Sequence, residues 1–203
     1  MATQDRLVWI DCEMTGLDLD SDQLVEIAAI VTEADLTEVD SGISLVIRPD
    51  DLSVLDDMVD VVREMHTNSG LLEEIPNGIP LADAQEQVLA YVRQHIPEAR
   101  KAPLAGSSVY VDRGFLAKYM PELDAHLHYR LIDVSSVKEI ARRWYPRAYF
   151  ASPEKNGNHR ALGDIRESIA ELRYYRDAVF VPQPGPDSES ARAAAAEHVV
   201  DHG

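Results

Sequence analysis

Residues Leu7 to Gly16, LVWIDCEMTG, constrain the chain more than any other stretch, because an apolar run suited to a buried central strand ends in two carboxylates. Successive side chains on a strand point to opposite faces, so Asp11 and Glu13 share one face and Cys12 takes the other. Two adjacent carboxylates repel unless a proton or a cation sits between them, and a divalent metal with oxygen ligands resolves that repulsion. Taken alone, an Asp-x-Glu reads more readily as a strand entering an acidic turn. A metal site needs further ligands from the rest of the chain.

The chain has 203 residues, 45% of them hydrophobic, enough for one well-buried domain. No apolar run is long enough to span a bilayer, and the N-terminal MATQDRL lacks the basic and apolar regions of a signal peptide, so a cytoplasmic protein without a membrane partner is expected. The single cysteine, Cys12, cannot form an internal disulfide and reads as a small core residue. A net charge of −17 opposes stable binding of long nucleic acid, which depends on many Lys/Arg–phosphate contacts. The charge is uneven: residues 1–99 carry 4 Lys/Arg against 22 Asp/Glu, whereas residues 100–203 carry 15 against 14. A ligand with one or two phosphates can be held by the second half, while a long polyanion is repelled.

After the opening strand, Leu24–Thr32 and Ile43–Arg48 read as further strands, and short links between the three predict an antiparallel meander. Val61–Met65 and Leu71–Ile75 read as short helices, and Pro80 opens a longer one that Pro97 ends. Pro103–Gly106 reads as a buried strand and Leu131–Val134 as another strand. Each leads into a helix: the first carries Asp112, Phe115, Leu116 and Tyr119 on one face, the second Val137, Ile140, Ala141 and Trp144. Ser136 and Glu139 fit a capping box, leaving Ser135 beside a helix N-terminus, a place suited to a phosphate oxygen. Residues 148–158 read as a loop, residues 160–179 as a last helix, and residues 183–203 as a mobile acidic tail behind a domain spanning 1–182. The pattern predicts an α/β domain with a mixed five-stranded sheet, meander plus parallel strands, flanked by helices.

Asp112 and Asp164 are carboxylates on otherwise apolar or small-residue helix faces, and such groups need a partner. His159 stands five residues before Asp164. On a continuous helix that offset puts the two side chains roughly 140° apart, so His159 belongs in the entering loop, over the same cleft. A lone histidine there is more often structural than catalytic. His66 reads equally well as pocket lining or structure, and His126, His128, His198 and His202 as surface residues.

Together, Asp11-Cys12-Glu13, Asp112 and the His-x4-Asp of His159 and Asp164 resemble the DEDDh family of 3′-to-5′ exonucleases, in the family's order. The longer phrases WIDCEMTGLD, HTNSGL, PLAGSSVYVDRGFL, HYRLIDVSSVKEIARRW and HRALGDIRESIAELRYYR are similar to its oligoribonuclease branch, over about residues 5–180. The resemblance implies a ribonuclease H-like fold, two Mg²⁺ or Mn²⁺ ions on Asp11, Glu13, Asp112 and Asp164, and His159 as the base that takes a proton from water. It further implies a homodimer degrading very short RNA, dinucleotides above all. The 5′ phosphate is then capped by Ser108, Arg130, Ser135 and, from the other subunit, Tyr129, with Leu17 wedged against the bases. Two departures stand out: Ser107 replaces the Asn of the usual Gly-Asn-Ser, and Val61 occupies an often aromatic position. The rival readings are a proofreading or tRNA-trimming exonuclease acting on longer chains, disfavoured by the acidic surface, and a non-catalytic nucleotide-binding protein, which has no need of a water-activating histidine.

Overall fold

The computed structural model describes residues 5–154, 157 and 159–200. Among them six strands form one mixed sheet: β1 (Leu7–Met14), β2 (Leu24–Thr32), β3 (Ile43–Arg48), β4 (Ile79–Pro80), β5 (Pro103–Gly106) and β6 (His128–Asp133). Their order is β4-β3-β2-β1-β5-β6. The pairs β1–β2 and β2–β3 are antiparallel, the expected meander, while β3–β4, β1–β5 and β5–β6 are parallel. The sheet thus has six strands rather than five. The additional β4 is two residues long, too short to leave an alternation, and its Pro80 is tolerated because β4 lies at the sheet edge.

Every residue of β2 is buried, as its nearly continuous apolar run requires of a strand covered on both faces. On one side Val8, Ile10, Cys12 and Met14 of β1 pack with Ile27, Ala29 and Val31 of β2 against α3 (Leu81–His95) and α4 (Tyr110–Tyr119). On the other, Trp9, Ala28 and Ile30 pack against Ala161, Ile165 and Ile169 of α8 (Ala161–Val179). The period of two in β1 therefore sends Asp11 and Glu13 to the α8 face and Cys12 to the opposite core.

Several local expectations change. His126 is buried, its Nε2 2.8 Å from the Ile96 carbonyl, and His128 accepts the Arg130 N–H, so neither is a bare surface histidine. The cap of α6 (Val134–Trp144) is Asp133, which accepts the Ser135 N–H, so Ser136 is not the cap; its hydroxyl donates to the same carboxylate. Of the expected apolar face of α6 only Ala141 is buried, and Trp144 is 70% exposed. The expected loop from 148 begins inside a short helix, α7 (Pro146–Phe150), which Pro146 can start because N1 needs no N–H donor. In the expected tail, Asp187 caps a helix, α9 (Ser188–Ala196), that buries nothing; its alanine-rich sequence favours helix without packing. Residues 155, 156 and 158 of that loop and 201–203 of the tail lie outside the described residues.

Candidate active site

The carboxylates converge at the C-terminal half of β1. Asp11 is half-buried and Glu13 buried, next to the bulge between Glu13 and Met14. Asp164 comes from the first turn of α8, where the helix dipole favours an acid. His159 immediately precedes the α8 entry, exposed and with φ +47°. One ligand atom each from Glu13, His159 and Asp164 lies within 4.8 Å of the other two. Asp112, buried in the first turn of α4, accepts the Cys12 N–H at 2.9 Å and so is tied to β1 between the two strand acids.

Burial, and then the charges of Asp112, Glu13, Asp164 and Glu26, hold the Asp11 carboxyl well above its ordinary value. Burial, followed by Asp164 and Glu26, pushes Glu13 from 4.5 to about 8. Burial raises Asp112 from 3.8 to about 7, against the lowering pull of the Cys12 N–H. Neighbouring carboxylates thus raise Asp11 and Glu13, and acids crowded in this way are donors of the type that suits a hard divalent cation, whose charge would offset their repulsion.

Glu26 belongs to this cluster and was not among the expected residues. It sits directly opposite Glu13 in the β1–β2 register, is buried, and accepts from Ser44 Oγ, Arg160 Nε and the Ala161 N–H. Its signal was present: it is the sole charge in the nine-residue apolar strand LVEIAAIVT. His66 is also buried, so it does not line an open pocket. Its Nε2 lies 2.8 Å from the Met14 carbonyl, and Nδ1, without a hydrogen-bond partner, faces Glu13 Oε2 at 3.9 Å. Burial lowers its pKa, which keeps the ring neutral behind Glu13.

Of the expected substrate residues, Ser108 and Ser135 meet: their hydroxyls are 3.0 Å apart. Asp133 Oδ1 organises both, accepting the N–H of Ser108 at 2.8 Å and of Ser135 at 3.1 Å. Arg130 and Tyr129 lie together on β6, the guanidinium carbon 5.5 Å from the ring centre, with Tyr129 75% exposed. Leu17 projects 72% exposed from the turn after β1, which Asp22 closes by accepting from Thr15 Oγ1 and the Asp18 N–H. Ser107 bonds the buried Ser168 of α8 at 2.9 Å, so the departure at this position still links β5 to the helix that carries Asp164. Val61, on α1 (Asp60–Asn68), is exposed. A cavity of about 400 Å³ beside His159 is lined by Met65, Asn68, Ser69, Gly157 and Arg160.

The profile of the exonuclease family matches residues 8–172 of the chain. An oligoribonuclease of Streptomyces coelicolor is 66% identical over 199 residues, covering 98% of this chain and 99% of its own length. An oligoribonuclease of Mycobacterium bovis is 56% identical over 195 residues, covering 96% and 90%. Among solved structures, the zinc-bound complex of E. coli exonuclease I with single-stranded DNA aligns with a TM-score of 0.67 at 14% identity, over 87% of this chain and 41% of that one. That last likeness is one of fold alone.

Proposed function

The chain belongs to the oligoribonucleases of the exonuclease family, with their ribonuclease H-like α/β fold, and from that membership we infer that it is a 3′-to-5′ exoribonuclease acting on short RNA. The observation that carries the chemistry is the cluster of Asp11, Glu13, Asp112 and Asp164 with His159 at its rim. The products are nucleoside 5′-monophosphates, and dinucleotides are the preferred substrates.

In this reading Asp11, Glu13, Asp112 and Asp164 hold two Mg²⁺ or Mn²⁺ ions, the DEDD set of a DEDDh enzyme. Divalent ions held there would supply Lewis-acid polarisation of the scissile phosphate and offset the charge that develops on its oxygens. His159, exposed at the rim, accepts a proton from the attacking water, a role that a positioned imidazole can fill. The Ser108 and Ser135 hydroxyls and the Arg130 guanidinium hold the 5′ phosphate, the last by a two-pronged contact. Leu17 wedges against the bases, and Tyr129 of the partner subunit closes the cap. The homodimer is supported by β6, an edge strand carrying exposed Tyr129, and by Trp144 and Phe150, exposed at 70% and 82%.

The test is release of mononucleotides from labelled short RNA with Mg²⁺ and with EDTA, for wild type and His159→Ala. The expected result is EDTA-sensitive cleavage that His159→Ala reduces by about 10²-fold or more, as for loss of a general base, with substrate binding retained. Undiminished turnover in His159→Ala would remove the base assignment. Cleavage in EDTA would remove the metal reading.

A further inference from the structure

The residue after His159 is held in a way the cluster itself does not require. Arg160 Nε lies 3.3 Å from both carboxylate oxygens of buried Glu26, while its two terminal nitrogens donate to the two oxygens of Glu74 at 3.0 and 2.9 Å. One guanidinium therefore joins β2 to α2 (Leu71–Glu74), in the segment that runs on from α1. Its backbone is fixed as well: the Arg160 carbonyl accepts the N–H of Gly163 and of Asp164, opening α8. That helix start has no side-chain cap of its own, and the Ala161 N–H is taken by Glu26. His159 itself adopts φ +47°, a left-handed conformation that a non-glycine residue holds only where its surroundings impose it.

We propose that Arg160 is a positioning residue for His159: by pairing at once with Glu26 and Glu74 it locks the His159–Ala161 backbone and so aims the imidazole at the carboxylate cluster. A lysine could not do this, because one ammonium cannot present two separate edges to two carboxylates. The pairing with Glu26 also compensates a buried charge that faces Glu13 across the sheet register. The inference rests on the reading of His159 as the base.

The test is a double-mutant cycle read with a dinucleotide and Mg²⁺. Arg160→Ala is expected to lower kcat by about 10-fold with KM little changed, since small misplacements of a reacting group carry losses of that order. In a His159→Ala background the same change is expected to cost less than about 2-fold, because residues acting as a unit are not additive. Glu74→Ala removes only the exposed arm of the clamp and keeps the test valid if Arg160→Ala fails to fold; it is expected to lower kcat in the wild-type background alone. In the metal-free protein it is also expected to speed hydrogen–deuterium exchange across residues 159–163. Equal losses in both backgrounds, an effect on KM alone, or unchanged kcat would overturn the proposal. If His159→Ala by itself leaves turnover intact, the base assignment fails, and the proposal with it.

Discussion

Glu13 lies buried among four other carboxylates, Asp11, Glu26, Asp112 and Asp164, and its pKa in the folded chain is about 8 against an ordinary 4.5. Between those values folding takes up a proton, so the stability tied to that proton is fully present below about 4.5 and lost as pH rises through about 8. Asp112, raised from 3.8 to about 7, acts in the same direction. The metal-free protein is therefore expected to melt at a progressively lower temperature as pH rises from about 5 to about 8, and saturating Mg²⁺ to flatten that slope by taking the proton's place. Melting curves in EDTA and in Mg²⁺ across that range check it; a flat metal-free profile would contradict it. Asp11, Glu13, Asp112 and Asp164 were legible in the sequence because each is an acid where the local period calls for an apolar or small residue. Glu26 obeys the same rule but does not stand out in the sequence, since a single charge inside a nine-residue strand reads as an interruption until its neighbour across the sheet is known. His66 was ambiguous because burial depends on how α1 docks, which no local pattern states.

At the scale of elements, Asp133 joins two expected substrate residues that come from different strand ends, Ser108 after β5 and Ser135 at the start of α6. Asp133→Ala removes the helix cap and frees both N–H groups. It is expected to destabilise the protein by ~1 kcal/mol, the usual size of a lost N-cap, and to raise KM for a dinucleotide more than it lowers kcat. Urea unfolding with steady-state kinetics checks both parts, and a loss confined to kcat would place Asp133 elsewhere in the mechanism. Of the first three strands β2 and β3 are legible to the residue, because mainly apolar β-branched runs between turn residues leave little other choice. The edge strand β4 was not: its pairing comes from β3 beside it, not from its own two residues. The cap of α6 was misplaced by three residues because Asp133 and Ser136 are both good caps, and only the strand end decides between them.

The whole molecule presents an acidic first half, a less acidic second half, and an apolar edge at β6, α6 and α7 left exposed in the single chain. The proposed homodimer would cover that edge and so account for Ile140 and Trp144 lying outside the core, although their helical spacing with Ala141 predicts an inward stripe. Gel filtration of wild type is expected to give the mass of two chains, and Tyr129→Ala to keep that mass while losing activity; a monomeric wild type would contradict the shared pocket. The charge distribution makes substrate length the question that tests the account most directly. 5′-labelled RNAs of two to about ten nucleotides, cleaved with Mg²⁺ at equal concentration, are expected to show a strong preference for the dinucleotide, because the proposed phosphate cap would leave no path for a longer chain and the acidic surround repels it. Equal rates along the series, or rates rising with length, would contradict it.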